Sequence, residues 1–97
     1  MTEALCLRPG DDVANVLDHV AAGDTVTVLP ERLALTAAQE IPQFHKLALR
    51  DLPAGTIVRR NGIAIGKTTQ AVAAGTHVHV HNLRSLRARP RTDRKDM

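Results

Sequence analysis

The pattern of apolar and polar positions changes near Gly23. Before it, apolar residues recur at i, i+3, i+4 and i+7, the spacing of one face of an amphipathic helix. These residues are Val13, Val16, Leu17 and Val20. Asp11 or Asp12 offers a carboxylate to cap the first turn, and Gly23 is suited to end the last one. The sequence therefore predicts one short helix in this region.

The rest of the chain has the pattern of short strands. Val26 and Val28 alternate with threonines, which is the period of a half-buried strand. Asn61-Gly62 separates two apolar runs and predicts a tight hairpin turn. Runs punctuated by Gly or Pro predict further strands at residues 4–7, 33–36, 45–49, 56–59, 63–65 and 77–83. The expected fold is mostly β, a compact body with one short helix.

Length and composition narrow the function. A chain of 97 residues forms one domain, whose small core leaves little room for a private active site. One Phe and no Tyr or Trp cannot supply the stacked rings with which proteins bind single-stranded nucleic acid. Composition thus argues against a free-standing enzyme and against a stacking-type RNA binder.

Cysteine usage and apolar runs indicate the compartment. Cys6 is the single cysteine and cannot form an internal disulfide. No apolar run approaches the ~20 residues needed to span a bilayer, and the first residues lack the pattern of a signal peptide. We expect a cytoplasmic protein without a membrane partner.

The positive charge is concentrated at one end. Residues 1–83 hold seven Lys/Arg against eight Asp/Glu, and residues 84–97 hold six against two. We therefore predict a domain at residues 1–83 and a basic, solvated, disordered tail at residues 84–97. A tail of this kind can contact nucleic acid, but the solvated end is the favoured interpretation, so nucleic acid is a disfavoured partner.

The histidines carry the clearest chemical signal. His77, His79 and His81 alternate with valines, so a strand would place them on one face, ~6.6–6.8 Å apart. Two of them can share a metal ion, whereas the third lies too far along the strand. A third ligand would then come from His45 or from a partner chain. Lys46 follows His45 and can hold a carboxylate, and a polar strand face without a ligand remains the alternative.

A spaced set of residues resembles the SAF domain of altronate and galactarate dehydratases. It includes Ile41-Pro42, His45-Lys46, Gly55, Val58, Gly62, Ile65-Gly66 and the run Gly-Thr-His-Val-His-Val-His-Asn-Leu at residues 75–83. The similarity covers about half the chain. One departure precedes the His-Lys pair, where the family usually has Gly or Ala and this chain has Phe44.

The resemblance implies a β-clip-like fold and a part in a lyase. In this family the domain is either the N-terminal part of a sugar-acid dehydratase or a small subunit paired with a large catalytic one, as in sulfolactate sulfo-lyase. The reaction is a β-elimination, in which a base removes the proton α to a carboxylate and a hydroxyl or sulfite leaves. A divalent metal, Fe²⁺ or Mn²⁺, would stabilise the negative charge that develops.

Carried over to this chain, the resemblance implies three pairs of site residues. They are His45 and Lys46 for catalysis, His77 and His79 for the metal, and His81 and Asn82 for the substrate. The expected function is a small subunit that completes the active site of a large catalytic subunit acting on a small anionic sugar acid, and that is inactive alone. The alternative is a non-catalytic module that binds an anionic ligand or a partner protein, and self-association is left open.

Overall fold

The computed structural model describes residues 2–86, which form nine strands and no helix. The strands are β1 Thr2–Leu5, β2 Val13–Val16, β3 Thr25–Leu29, β4 Leu33–Thr36, β5 Lys46–Ala48, β6 Ile57–Arg60, β7 Ile63–Thr68, β8 His77–Val78 and β9 Leu83–Ser85. The mostly-β prediction is confirmed. None of these residues belongs to a helix that is long and apolar enough to cross a bilayer.

The predicted helix is wrong: Val13 and Val16 lie in strand β2, and Val20 forms an isolated β-bridge with Ile41. β2 pairs with β1 on one side and with β5 on the other, with Val16 opposite Ala4 and Val13 opposite Ala48. Val13, Ala14 and Val16 are all buried, so both faces of this central strand are covered. A strand buried on both faces loses the alternation of a half-buried strand, and over so few residues its apolar positions mimic helical spacing.

The strands form two sheets with separate apolar clusters. The larger sheet has the order β4-β3-β1-β2-β5-β8, and the smaller has the order β6-β7-β9. All pairings are antiparallel except that of β1 with β3. One cluster, which includes Val16 and Leu47, lies within the larger sheet, and the other, which includes Val58 and Val78, joins the two sheets.

Asp11 and Asp12 hold the hairpin of the smaller sheet instead of capping a helix. The Asp11 carboxylate accepts hydrogen bonds from the backbone N–H groups of Asn61 and Gly62, at 2.7 and 3.0 Å. The buried Asp12 carboxylate accepts one from the Arg59 N–H at 2.8 Å and pairs with Arg50. These bonds fix the predicted hairpin turn, in which residues 61 and 62 both have positive φ, against the start of β2.

Four turns of similar form each precede a strand by two residues. Three contain a glycine with positive φ, namely Gly23, Gly55 and Gly75, at 90°, 82° and 86°. The fourth has Phe44 at the equivalent place, with φ of 68°. A type II turn needs positive φ at its third residue, which favours glycine strongly over a residue with a side chain. The backbone geometry of the Phe44 turn is thus kept with a residue that disfavours it.

The last described strand crosses the predicted end of the domain. β9 includes Arg84 and Ser85 and pairs with β7. Residues 87–97, which make up most of the predicted basic tail, lie outside the described residues, so the disorder of that tail stays a prediction.

Candidate functional site

Three histidines meet at the edge of the larger sheet. β5 and β8 pair antiparallel with Leu47 opposite His77 and Lys46 opposite Val78. His45 directly precedes β5 and His79 directly follows β8, so this register brings both close to His77. The ring centroid of His45 lies 5.0 Å from that of His77 and 4.3 Å from that of His79. We call His45, His77 and His79 the histidine cluster.

The nitrogens of the histidine cluster are close enough to serve one ion. One ligand nitrogen from each ring lies within 4.8 Å of the other two. Nδ1 of His45 and Nε2 of His77 are 2.8 Å apart and share a hydrogen bond. Imidazole nitrogens are common ligands of divalent transition metals, and three of them leave coordination positions for a substrate. The residues therefore fit a divalent metal site, in which His45 would be the third ligand beside His77 and His79.

The predicted long strand over residues 77–83 is interrupted by a turn. The backbone N–H groups of Asn82 and Leu83 both donate to the carbonyl of His79, at 3.0 and 2.9 Å. The turn returns the His81 ring to 5.3 Å from that of His77. His81 therefore lies beside the histidine cluster because the chain folds back, not because of strand alternation.

Asn82 holds this turn from inside. It is buried, its side-chain oxygen accepts from the His79 N–H, and its side-chain nitrogen donates to the His77 carbonyl, both at 2.9 Å. These bonds fix the backbone on either side of Val78. The substrate contact expected for Asn82 stays a prediction, and the contacts observed are those of a residue that positions the two histidines.

The environment of the cluster disfavours protonation of its imidazoles. Burial, together with the neighbouring histidines and Lys46, lowers the pKa of His77 to about 4. Burial and then His45, Lys46 and His81 also lower the pKa of His79. Both imidazoles are thus neutral near pH 7, which is the form that binds metals.

The pKa of Lys46 is also lowered. Burial, and then the positive charge of Arg60, hold the pKa of Lys46 below its usual range. An amine with a lowered pKa is more often neutral and so better able to accept a proton.

The fifth histidine lies apart from this site. His19 is exposed and its Nε2 lies 2.5 Å from a carboxylate oxygen of Glu40. Its absence from the histidine cluster makes it a suitable control residue.

Two residues of the site have no recognisable sequence signal. Arg60 lies at the end of β6, and its Nε donates to the side-chain oxygen of Asn15 at 2.7 Å. Asn15 stands opposite Lys46 in the β2–β5 ladder and donates to the Phe44 carbonyl at 2.8 Å. Asn15 falls in the stretch interpreted as a helix, and Arg60 in a hairpin, so only the sheet register connects them to Lys46.

Fold and site together define a class, a small β domain that gathers histidines and a lysine at one edge of its larger sheet. Residues 2–86 match the family model described as the altronate/galactarate dehydratase SAF domain, and the chain belongs to this family. The resemblance stated from the sequence motifs is thereby confirmed.

Two relatives illustrate how the domain is used. The chain is 39% identical over 75 residues to altronate dehydratase of Escherichia coli strain K12. The aligned residues make up 77% of this chain but 15% of that protein. It is 37% identical over 87 residues to (2R)-sulfolactate sulfo-lyase subunit alpha of Chromohalobacter salexigens, covering 84% of this chain and 93% of that subunit. The chain is thus similar to a small part of one enzyme and to nearly the whole of a subunit of another.

Proposed function

We propose that this chain is the small SAF-domain subunit of a metal-assisted lyase and that it completes the active site of a separate, large catalytic subunit. The substrate would be a small hydroxy acid, as in a sugar-acid dehydratase or a sulfolactate lyase. The observation that supports this most directly is the convergence of the histidine cluster beside Lys46.

In this proposal His45, His77 and His79 hold a divalent metal ion, Fe²⁺ or Mn²⁺. When bound, such an ion supplies Lewis-acid stabilisation of the negative charge that develops on a carboxylate whose α-proton is removed. The role assigned to His45 from the resemblance was catalytic, and its nitrogen contact with His77 favours the ligand role that the spacing of the histidines had left open.

Lys46 is the proposed base. Because its pKa is lowered, its Nζ is neutral in a larger fraction of molecules and can take the proton α to the substrate carboxylate. His81, exposed at the tip of the turn, would donate a hydrogen bond to the substrate, and Asn82 keeps that turn in position.

The exposed apolar surface beside the cluster supports a protein partner. Phe44 and Val80, the neighbours of His45 and His79 in the chain, are 64% and 81% exposed. Large apolar side chains beside a polar site are typical of residues that become buried when another protein binds. A relative of which this chain covers 93% is named as subunit alpha, which supports an assembly of more than one subunit.

Reconstitution tests the proposal. We expect keto-acid formation from a sugar acid or from sulfolactate when the chain is mixed with Fe²⁺ or Mn²⁺ and a catalytic subunit that lacks its own SAF domain. His77→Ala and His79→Ala should abolish activity, whereas His19→Ala, the matched control, should retain it. If the catalytic subunit alone is fully active, the chain is instead a non-catalytic binding module.

Metal binding is tested separately on the chain alone. Titration with Co²⁺, whose visible absorption reports nitrogen ligands, should give a stoichiometric signal in the wild-type and His19→Ala proteins and not in His79→Ala. An equal signal in all three proteins would place the metal elsewhere.

A further inference from the structure

A small cleft adjoins the histidine cluster on the side of Lys46. Its volume is about 250 Å³. It is lined by Lys46, Arg60, Ile65, His79, Val80, Leu83 and Ser85. Because pockets for drug-sized ligands have volumes of ~300–1,000 Å³, this cleft is suited to a small acid or to one end of a larger one.

The cleft carries positive charge without a compensating acid. Neither Asp nor Glu lines it, and within residues 2–86 neither Lys46 nor Arg60 forms an ion pair. An anion bound beside Arg60 would form charge-assisted hydrogen bonds with its guanidinium.

Arg60 is held in a fixed orientation at the wall of the cleft. Its Nε is bound by the side chain of Asn15, which is itself anchored to the Phe44 carbonyl. In the described part of the chain, the two Nη groups of Arg60 make no hydrogen bond, which leaves them available to a ligand. A guanidinium oriented by a third residue is well suited to bind a planar carboxylate through two parallel hydrogen bonds.

We infer that Arg60 binds the substrate carboxylate in this cleft beside the metal site, with Asn15 as a positioning residue. The identity of the ligand as a hydroxy acid rests on the proposed function, whereas the recognition of a carboxylate rests on the cleft itself. Arg60 is therefore a substrate-binding residue, and it brings the α-carbon of the acid next to Lys46.

An NMR titration of the isolated chain tests the binding site. Glycolate, the smallest 2-hydroxy acid, should shift the Arg60 Nε–Hε resonance in a saturable manner, with a dissociation constant on the order of 10 mM. Uncharged glycolamide and NaCl at matched ionic strength should not do so. The shift should be independent of metal and should persist in His77→Ala.

Variants locate the effect. Arg60→Gln should weaken glycolate binding about tenfold or more, as followed by the Lys46 and His79 amide resonances. Arg59→Gln, the matched control, removes the same charge from the neighbouring exposed residue and should leave binding unchanged. Equal binding by both variants, or no saturable shift in the wild type up to roughly 50 mM glycolate, would overturn the inference.

The assembled enzyme separates this inference from the proposed function. Arg60→Gln should raise KM for the acid about tenfold or more while the bound metal, measured by elemental analysis, stays the same. If wild-type assemblies are active and Arg60→Gln changes KM no more than Arg59→Gln, Arg60 does not bind substrate although the proposed function stands. If no assembly is active, the proposed function fails, and the glycolate titration still decides whether Arg60 binds carboxylates.

Discussion

Acidification should destabilise this protein through its histidine cluster. In the unfolded chain His77 has a pKa near 6.5, and in the folded protein burial and neighbouring positive groups lower that pKa to about 4. Above pH 6.5 the imidazole is neutral in both states. Between pH 6.5 and about 4 the unfolded state takes up a proton that the folded state does not, so stability falls as the pH falls through this window.

The size of the effect follows from that difference in pKa. A lowering from 6.5 to about 4 corresponds to at most ~3 kcal/mol of lost stability. The imidazole of His77 is partly exposed, and solvent screening reduces the expected loss to about 1–2 kcal/mol. His79, whose pKa is lowered by the same kinds of neighbours, adds a loss of the same sign.

Urea unfolding at about pH 7.5 and about pH 4.5 measures the loss. Circular dichroism is the suitable signal because the chain has no Trp or Tyr. His77→Gln should lose about 1–2 kcal/mol less than the wild type on acidification, since the carboxylates that also titrate there are common to both proteins. His19→Gln should follow the wild type. Equal losses in the wild-type and His77→Gln proteins would refute the reasoning.

Three further predictions concern the backbone that supports the site. Asp12→Ala leaves a part-buried N–H of the hairpin without its acceptor and should cost about 2–4 kcal/mol in urea unfolding, against about 0.5 kcal/mol or less for the exposed Asp18→Ala. Gly75→Ala should cost about 3 kcal/mol or more because its Cβ would lie 2.3 Å from a backbone oxygen, whereas Gly23→Ala, with open space and similar φ, should cost about 1 kcal/mol. Equal costs within either pair would contradict these contacts. Phe44→Gly should leave the urea midpoint unchanged or raise stability by up to about 1 kcal/mol, and a clear loss would mean that the ring packs on the isolated domain.

Most of the strands could be predicted from local pattern. Residues 33–36 were predicted as a strand and form β4, and the hairpin turn at residues 61 and 62 was located by its Asn-Gly pair. These elements depend on alternation and turn chemistry, which act over a few residues. The sequence is therefore sufficient to predict an element whose conformation depends on residues close to it in the chain.

The error at residues 11–20 has a long-range cause. The strand β2 is defined by its neighbours β1 and β5, the second of which lies about thirty residues away in the chain. Asp11 and Asp12 accept hydrogen bonds from a hairpin that lies 47 to 50 residues further along the chain. Neither relation is present in the local spacing of valines and aspartates, so the pattern favoured a helix with a cap.

The candidate site was predicted in part for the same reason. The alternation of His77 and His79 indicated that they share a metal ion. His45 was one of two sources proposed for a third ligand of that ion. Their proximity follows from the β5–β8 register, which no local pattern specifies. Arg60 has no motif of its own, because its relation to Lys46 depends on Asn15 and on the placement of two sheets.

The four similar turns explain why the histidine cluster forms where it does. The turn of Phe44 leads into β5 and that of Gly75 leads into β8, and these two strands pair with each other. His45 therefore lies beside His77 and His79 because equivalent turns precede β5 and β8, which are paired strands. Three of the turns contain glycine in short loops that resemble one another, whereas the fourth has Phe44 at that place. A side chain at that position costs about 1 kcal/mol relative to glycine and the ring is 64% exposed, so the folded domain gains little from it. We propose that a catalytic subunit contacts the surface beside His45. Such a contact would explain why Phe44 stands at this position, which the isolated fold does not explain.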